Sequence, residues 1–379
     1  MSDDLGRLLV DTLRLAAAPS DRDALRRRWL APRVARQAPA IAQWAAWEDT
    51  ELWLRRRLTD LDVLPQLPEV LRESLRRAGL RATQAHLAID EETERVVTAL
   101  TRADIACILI KGQARRAAAP PALLDTRRTS DVDLLIPASE ASRAWSLLRE
   151  AGYEPLAAGP SAPAPRGEMW TLSRHHLRPL VRPGGASVEL HVSTSWELPP
   201  AVAWERLAAT ARTHQWRGLT VRCPSSTELL WHALTHAEIA FPAAWRLRFW
   251  LDGANALALE PVDWGVMAER LAGPESPGAT ALLWLSAAAA LAGVAPPPDV
   301  AARPYPLERV LRWRVAVYRR RLGRALREKL LDEATRAEAG IGFAPLVQGR
   351  AMPTQVRRRV ATIAARLGYA LWRAAFSFS

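Results

Sequence analysis

The chain has 379 residues, 49% of them hydrophobic and 24% charged, with a mean hydropathy of −0.10. That is enough apolar material to bury a core of two or three packed subregions, and it excludes disorder on the scale of the whole chain. The formal net charge of +12 comes almost entirely from arginine in a chain rich in Ala, Pro and Trp. This reads first as a high-GC composition and only second as nucleic-acid binding, although part of the excess can attract a polyanionic nucleotide.

Residues 1–100 read as a helical region. Leu8, Leu9, Leu13 and Leu15 recur near helical spacing, Asp21 to Trp29 opens a second amphipathic segment, and Pro65 and Pro68 break the Trp- and Arg-rich stretch between Ile41 and Leu64 from the residues beyond it. Glu69 to Leu100 supports one long helix or two stacked ones, and the expected role of the region is a helical scaffold packed on the catalytic sheet. From 101 to 222 the pattern turns to short strands and helices. Ile105 to Ile110 is a buried strand running into Lys111-Gly112 and an Ala- and Arg-rich helix, Ala138 to Gly152 is a helix, and Tyr153-Glu154-Pro155 is an edge strand. Ala157 to Gly167 is a Pro-, Ala- and Gly-rich loop, suited to a lid or to a plain connection. From 223 to 379 helices return. Ser225 and Glu228 have the spacing of a capping box, Ala243 to Leu259 continues as a second helix, and Leu282–Ala292, Leu307–Leu331 and Gln355–Phe376 are further helical stretches. No apolar run reaches the length of a membrane span and Met1-Ser2-Asp3-Asp4 has no signal-peptide layout, so the expected compartment is the cytoplasm. Two cysteines, Cys107 in an apolar run and Cys223 before a proline, agree with a reducing compartment.

Asp131-Val132-Asp133, between Ser130 and the apolar run Leu134-Leu135-Ile136, carries the chemistry. On a strand, residues 131 and 133 project to one face, so two carboxylates share a small volume and call for a cation between them. Mg²⁺, a hard ion held by one or two carboxylates plus substrate phosphates, suits the pair. Lys111-Gly112, delivered by a strand to a helix start, offers an ammonium and backbone N–H groups to a phosphate. Downstream, Val181 to Ala186 reads as a hairpin turn leading into Ser187-Val188-Glu189-Leu190-His191-Val192, which places Glu189 and His191 together on the face opposite Val188, Leu190 and Val192. Glu189 is therefore a candidate third carboxylate and His191 a candidate partner that orients it. His232 and His236 stand four apart on one helical face, but without a third ligand they read as packing or substrate-facing residues rather than zinc ligands.

The order of these pieces resembles the nucleotidyltransferase superfamily. It looks most like the uncharacterised bacterial nucleotidyltransferase family met in peptide natural-product and exopolysaccharide gene clusters. The matching stretches are Ile108 to Gly112, Arg128 to Ile136, Val188 to His191, and Ser226 to His236 running on to Trp245–Asp252. The superfamily's Gly-Ser signature is replaced here by Lys111-Gly112 with a longer insertion, and its Asp-Leu-His-Trp segment by Glu189-Leu190-His191-Val192.

This resemblance implies an α+β fold with a nucleotidyltransferase-like small mixed sheet, flanking helices, and helical regions at both ends. It implies a metal-dependent transfer of a nucleoside monophosphate to a hydroxyl or similar acceptor. Asp131, Asp133 and Glu189 would be catalytic and hold one or two Mg²⁺; Lys111, Gly112, Ser130, Arg246 and Arg248 would bind the triphosphate. ATP is the expected donor on abundance alone, since no residue selects a base. The acceptor implied by gene-cluster company is a peptide or another biosynthetic intermediate. An antibiotic- or toxin-modifying enzyme, or a catalytically silent nucleotide- or peptide-binding module, are the competing readings.

Overall fold

A computed structural model describes residues 3–300 except 16–18, 121–122, 157–168, 170–174, 196–197, 240–246, 274–275, 277–278 and 298–299. The loop at 157–167, the kink at Pro242, the first residues of the helix expected from Ala243, and the helical stretches expected beyond residue 300 lie outside the described residues.

Five helices lead the chain: α1 (Asp3–Leu13), α2 (Pro19–Trp29), α3 (Pro32–Glu48), α4 (Glu51–Asp60) and α5 (Glu69–Arg102). Of the two arrangements open for the last, the chain adopts the single one, 34 residues long. Leu71, Leu75, Ala78, Ala82, Ile89, Val96 and Leu100 fall at spacings of three, four and seven and are all buried, so one apolar stripe holds the whole length against its neighbours. Polar anchors fix the short helices around it. The Trp29 indole donates to Thr12 Oγ1 at 2.7 Å and the Trp53 indole donates to the Leu13 carbonyl at 3.0 Å.

A five-stranded mixed sheet comes next, built from β1 (Ile108–Leu109), β2 (Asp131–Leu135), β3 (Glu154–Pro155), β4 (Leu180–Val181) and β5 (Ser187–His191) in the order β1-β2-β5-β4-β3. Only β2 and β5 are parallel. The sheet carries the expected edge strand at Glu154–Pro155 and the expected turn before β5, where Gly184 has φ +72°. The apolar run before Lys111 is extended over a shorter span than its composition suggested. Ile108 and Leu109 pair with Leu135 and Leu134 of β2, and Ile110 N–H adds a bond to the Asp133 carbonyl at 3.0 Å before the chain turns at Lys111. Helices α6 (Lys111–Ala118) and α7 (Ala141–Glu150) connect the strands. Beyond β5, α8 (Pro200–Thr210) leads to a separate hairpin of β6 (Arg212–Trp216) and β7 (Leu219–Cys223), turned by Arg217 and Gly218 at φ +50° and +81°.

The closing layer is α9 (Ser226–Ile239), α10 (Leu247–Leu259), α11 (Trp264–Ala272) and α12 (Ala279–Ala292). The capping box before α9 is half formed: the Glu228 N–H donates to Ser225 Oγ at 3.4 Å, but the Glu228 carboxylate pairs with Arg270 of α11 instead of reaching back. A buried guanidinium partner outcompetes the local N–H. One apolar interior runs without a break from Leu5 through the strands to Val300, and no helix among the described residues is long and apolar enough to cross a membrane.

Two contacts set the approach of α10. Leu247 N–H, at its first turn, donates to the buried Glu48 carboxylate at 2.8 Å, so the far end of α3 caps this helix across 199 residues. On its other side Gly253 admits α12, since a Cβ there would stand 2.5 Å from Trp284 Cη2 and 2.8 Å from Ala288 Cβ. Gly253→Val is expected to lower stability by about 1–3 kcal/mol through overpacking, measured as a lower urea midpoint with an unchanged slope.

Candidate active site

The parallel pairing of β2 with β5 decides the geometry. Its register sets Val132 beside Val188, Asp133 beside Glu189 and Leu134 beside Leu190. Because side chains alternate, the valines and leucines enter the core while both acids project from the same face. His191, two residues after Glu189, projects with them. Its ring Nε2 lies 2.9 Å from Asp133 Oδ1 and 3.4 Å from Glu189 Oε2. One ligand atom from each of Asp133, Glu189 and His191 falls within 4.8 Å of the others.

Lys111 is brought to this group by the turn from β1 into α6. It takes φ +52°, a left-handed backbone rare for a non-glycine residue. Its ammonium donates to Asp133 Oδ1 at 2.5 Å and stands 3.5 Å from Glu189 Oε2 and 3.3 Å from His191 Nε2. Burial pushes the Asp133 carboxyl up, but the Lys111 charge and the His191 hydrogen bond outweigh it and hold it below the usual carboxylate range. For Glu189, burial is likewise overcome, by the His191 hydrogen bond and Lys111, and its carboxyl sits at about 2. Burial also disfavours the charged form of Lys111, and Asp133 and Glu189 more than restore it, raising its pKa.

Asp131 stands apart. Among the described residues it has no hydrogen-bond or ion-pair partner, and burial followed by repulsion from Asp133 pushes its carboxyl up to about 6. It opens on a cleft of about 100 Å³ of water-accessible space lined by Lys111, Gly112, Arg127, Arg128, Ser130, Asp131, Asp133, His236 and Arg248. Gly112 has a packing reason as well as a place in the cleft: a Cβ would lie 2.7 Å from Thr129 Cγ2, so glycine lets α6 close on the segment that leads into β2.

The sequence pattern gave Arg127 no role and quoted Arg128 only as part of a matching stretch; both line the cleft. Arg127 Nε donates to Asp252 Oδ1 at 2.6 Å and its NH1 donates to the Arg128 carbonyl at 2.9 Å. Asp252, buried on α10, is shared with Arg115, whose NH1 lies 3.2 Å away and whose pKa burial pushes down to about 10. The loop that delivers these arginines is held by His86 of α5, which meets Asp125 Oδ1 at 3.0 Å and the Arg127 carbonyl at 3.1 Å. The signal available in the sequence was two adjacent arginines three residues ahead of the Asp pair. Arg248 NH1 donates to Asp49 Oδ2 at 2.6 Å, so the residue that follows α3 anchors an arginine of the cleft wall. Arg246 lies outside the described residues. His232 is buried, while His236 reaches the cleft. His175 and His176 are half-buried; His176 bridges to His191 and both rings pack within 6 Å of its ring.

The donor set fits a divalent cation. Two carboxylates and an imidazole converge, a third carboxylate is near, and the group already gathers one positive charge.

Residues 35–290 match the model of the family described as uncharacterised nucleotidyltransferase, and the chain belongs to that family. The small mixed sheet with flanking helices is the α+β nucleotidyltransferase-like fold that the resemblance implied. No curated protein matches the chain in sequence. Solved structures similar to it include the antibiotic-resistance factor ANT(2'')-Ia in solution (13% identity, 51% of this chain and 87% of that one, TM-score 0.32). Another is a crystal structure of ANT(2'')-Ia in complex with adenylyl-2''-tobramycin (14% identity, 55% and 98%, TM-score 0.33). A third is an antigenic nucleotidyltransferase-like protein from Paracoccidioides brasiliensis (18% identity, 45% and 75%, TM-score 0.31).

An acid whose folded pKa, about 6, lies above its ordinary 3.8 takes up a proton on folding. Its cost to stability is absent below the lower value and complete above the higher one. Asp131→Asn is therefore expected to stabilise the metal-free protein by about 1–2 kcal/mol at pH 7.5 and by nothing measurable at acid pH, as read by urea melts at both.

Proposed function

We propose that this nucleotidyltransferase moves a nucleoside monophosphate from a nucleoside triphosphate, with ATP as donor and Mg²⁺ as cation, to a hydroxyl of a peptide or another biosynthetic intermediate. The observation that carries the reading is the register that sets Asp133 beside Glu189, with Asp131 two residues away at the mouth of a cleft walled by Lys111, Arg127, Arg128 and Arg248.

Asp131, Asp133 and Glu189, with His191 beside them, would hold the cation. When bound, it neutralises phosphate charge and makes the acceptor hydroxyl easier to ionise. The arginines and Lys111 bind the phosphates and aim them into the cleft, where four cationic side chains face two aspartates. Asp252 keeps Arg127 from turning away. The acceptor oxygen attacks the α-phosphorus, the bond to the bridging oxygen breaks, and pyrophosphate leaves. Glu189, 20% exposed against 1% for Asp133, has a second role open to it as the alternative to holding the cation, which is to take the acceptor's proton. Positioning and charge stabilisation supply the acceleration, since no covalent intermediate is needed.

Incubation with each α-labelled triphosphate, Mg²⁺ and a panel of peptide and small-molecule acceptors tests the reading, with pyrophosphate as readout. Asp133→Asn is expected to lower turnover by about 10³-fold with an unchanged circular dichroism spectrum; full activity in that variant rejects the mechanism. Arg128, the more exposed of the two arginines, acts on binding alone: Arg128→Ala is expected to raise KM for the triphosphate by about tenfold and leave kcat within a factor of about two.

A further inference from the structure

We propose that Lys111 is the resident cation of the acidic site and exchanges with the incoming metal, so that metal and triphosphate bind cooperatively and the metal alone binds weakly. This rests on the reading of the site as a nucleotidyl-transfer centre. Three distances carry it. The ammonium lies 2.5, 3.3 and 3.5 Å from Asp133 Oδ1, His191 Nε2 and Glu189 Oε2, and these are the three groups whose ligand atoms converge for a metal.

An ammonium and a divalent ion cannot share those donors. At separations near 3 Å two positive centres repel strongly even at an effective dielectric of about 20, so the lysine leaves when the metal enters. Asp133 and Glu189 hold the one ammonium between them while Asp131, two residues along the same strand face, has no ion-pair partner among the described residues, which leaves room for a doubly charged replacement. Lys111 has somewhere to go. It lines the same cleft as Arg127, Arg128 and Arg248, and its side chain is 19% exposed, so a flexible four-carbon stem can carry the charge from the acids toward the phosphates. In the free protein that destination is walled by Arg127, Arg128 and Arg248, whose charges oppose the ammonium; with a triphosphate in the cleft it offers a polyanion. Nucleotide therefore lowers the cost of releasing the lysine, and each ligand raises the affinity of the other by the same factor.

The strained φ of +52° at Lys111 points the same way, because a backbone held in a sparsely populated region fixes the root of a side chain whose tip has two uses. The idea predicts that the lysine opposes metal binding in the absence of nucleotide, which a purely phosphate-binding lysine would not do.

Mn²⁺ serves as the metal probe, followed by calorimetry and electron paramagnetic resonance on the full chain. Without nucleotide, Lys111→Met is expected to bind Mn²⁺ at least about tenfold tighter than the unmodified protein, and Lys111→Arg to resemble the unmodified protein. A non-hydrolysable α,β-methylene triphosphate is expected to tighten Mn²⁺ binding in the unmodified protein and to do so much less in Lys111→Met. Equal or weaker Mn²⁺ binding by a folded Lys111→Met overturns the proposal. Should that variant fail to fold, Mn²⁺ binding by the unmodified protein that is indifferent to the triphosphate analogue overturns it equally. Pyrophosphate release with Mn²⁺ affinity blind to residue 111 rejects the exchange alone, whereas absence of both turnover and Mn²⁺ binding in the unmodified protein rejects the reading of the site with it.

Discussion

A buried carboxylate that cannot remain charged without a neighbour governs this molecule. Asp133 is 1% exposed and points from a strand whose other residues are apolar apart from Asp131 at its start. Left alone it would cost several kcal/mol and take up a proton. The fold answers from both sides of the strand: β5, held in parallel register, supplies His191, and β1, paired antiparallel on the other edge, leads into the turn that supplies Lys111. The sheet, the strained residue at the head of α6 and the acidic group are thus one arrangement, because moving any of the three strands the carboxylate.

Around that centre positive charge is local. The chain's formal +12 suggests a basic protein throughout, yet residues 301–379 hold 17 of the Lys and Arg and 5 of the Asp and Glu, so the whole excess falls there and residues 1–300 are balanced. What makes the cleft positive is placement. Arg127 and Arg115 share the single carboxylate of Asp252, and Arg248 is paired with Asp49. A guanidinium held by a buried acid cannot fold away from the cleft, and sharing one acid between two leaves a positive remainder. Such a field acts at a few ångströms and survives salt that would screen a diffuse surface charge.

Much of the site was legible because strand alternation is a rigid rule. Asp131 with Asp133, and Glu189 with His191, could be assigned to faces from the sequence, as could the apolar residues between them. Helix over Glu69 to Leu100, though not whether it was one helix or two, and the glycine turn before β5 were legible for the same kind of reason, being set by local spacing and turn chemistry. What the sequence did not carry was pairing across distance. Nothing local to Asp252 announces that it will hold Arg127, 125 residues away, and nothing near Glu48 announces that it will cap a helix that begins at Leu247. Lys111 was picked out in the sequence as a candidate phosphate-binding lysine, and what the sequence did not carry is that its ammonium meets Asp133. The half-formed capping box at Ser225 has the same origin, since Arg270 arrives from another helix. The division of the chain at about 100 and 222 remains a proposal drawn from composition, and the continuous interior shows how tightly those stretches are joined.

The tie between Glu48, Asp49 and the start of α10 has an evolutionary reading. The acids sit in the middle of the chain, but the wall that a substrate meets is fastened from its first fifty residues: the Glu48 carboxylate holds the Leu247 amide, and Asp49 grips Arg248. Such a molecule is not an interchangeable cassette. Recombination that transplanted everything after the leading helices would deliver the acids intact beside a bare helix end and a guanidinium with no anchor. Diversification toward new acceptors would instead proceed by drift within one inherited whole, the leading helices changing in step with the cleft they hold.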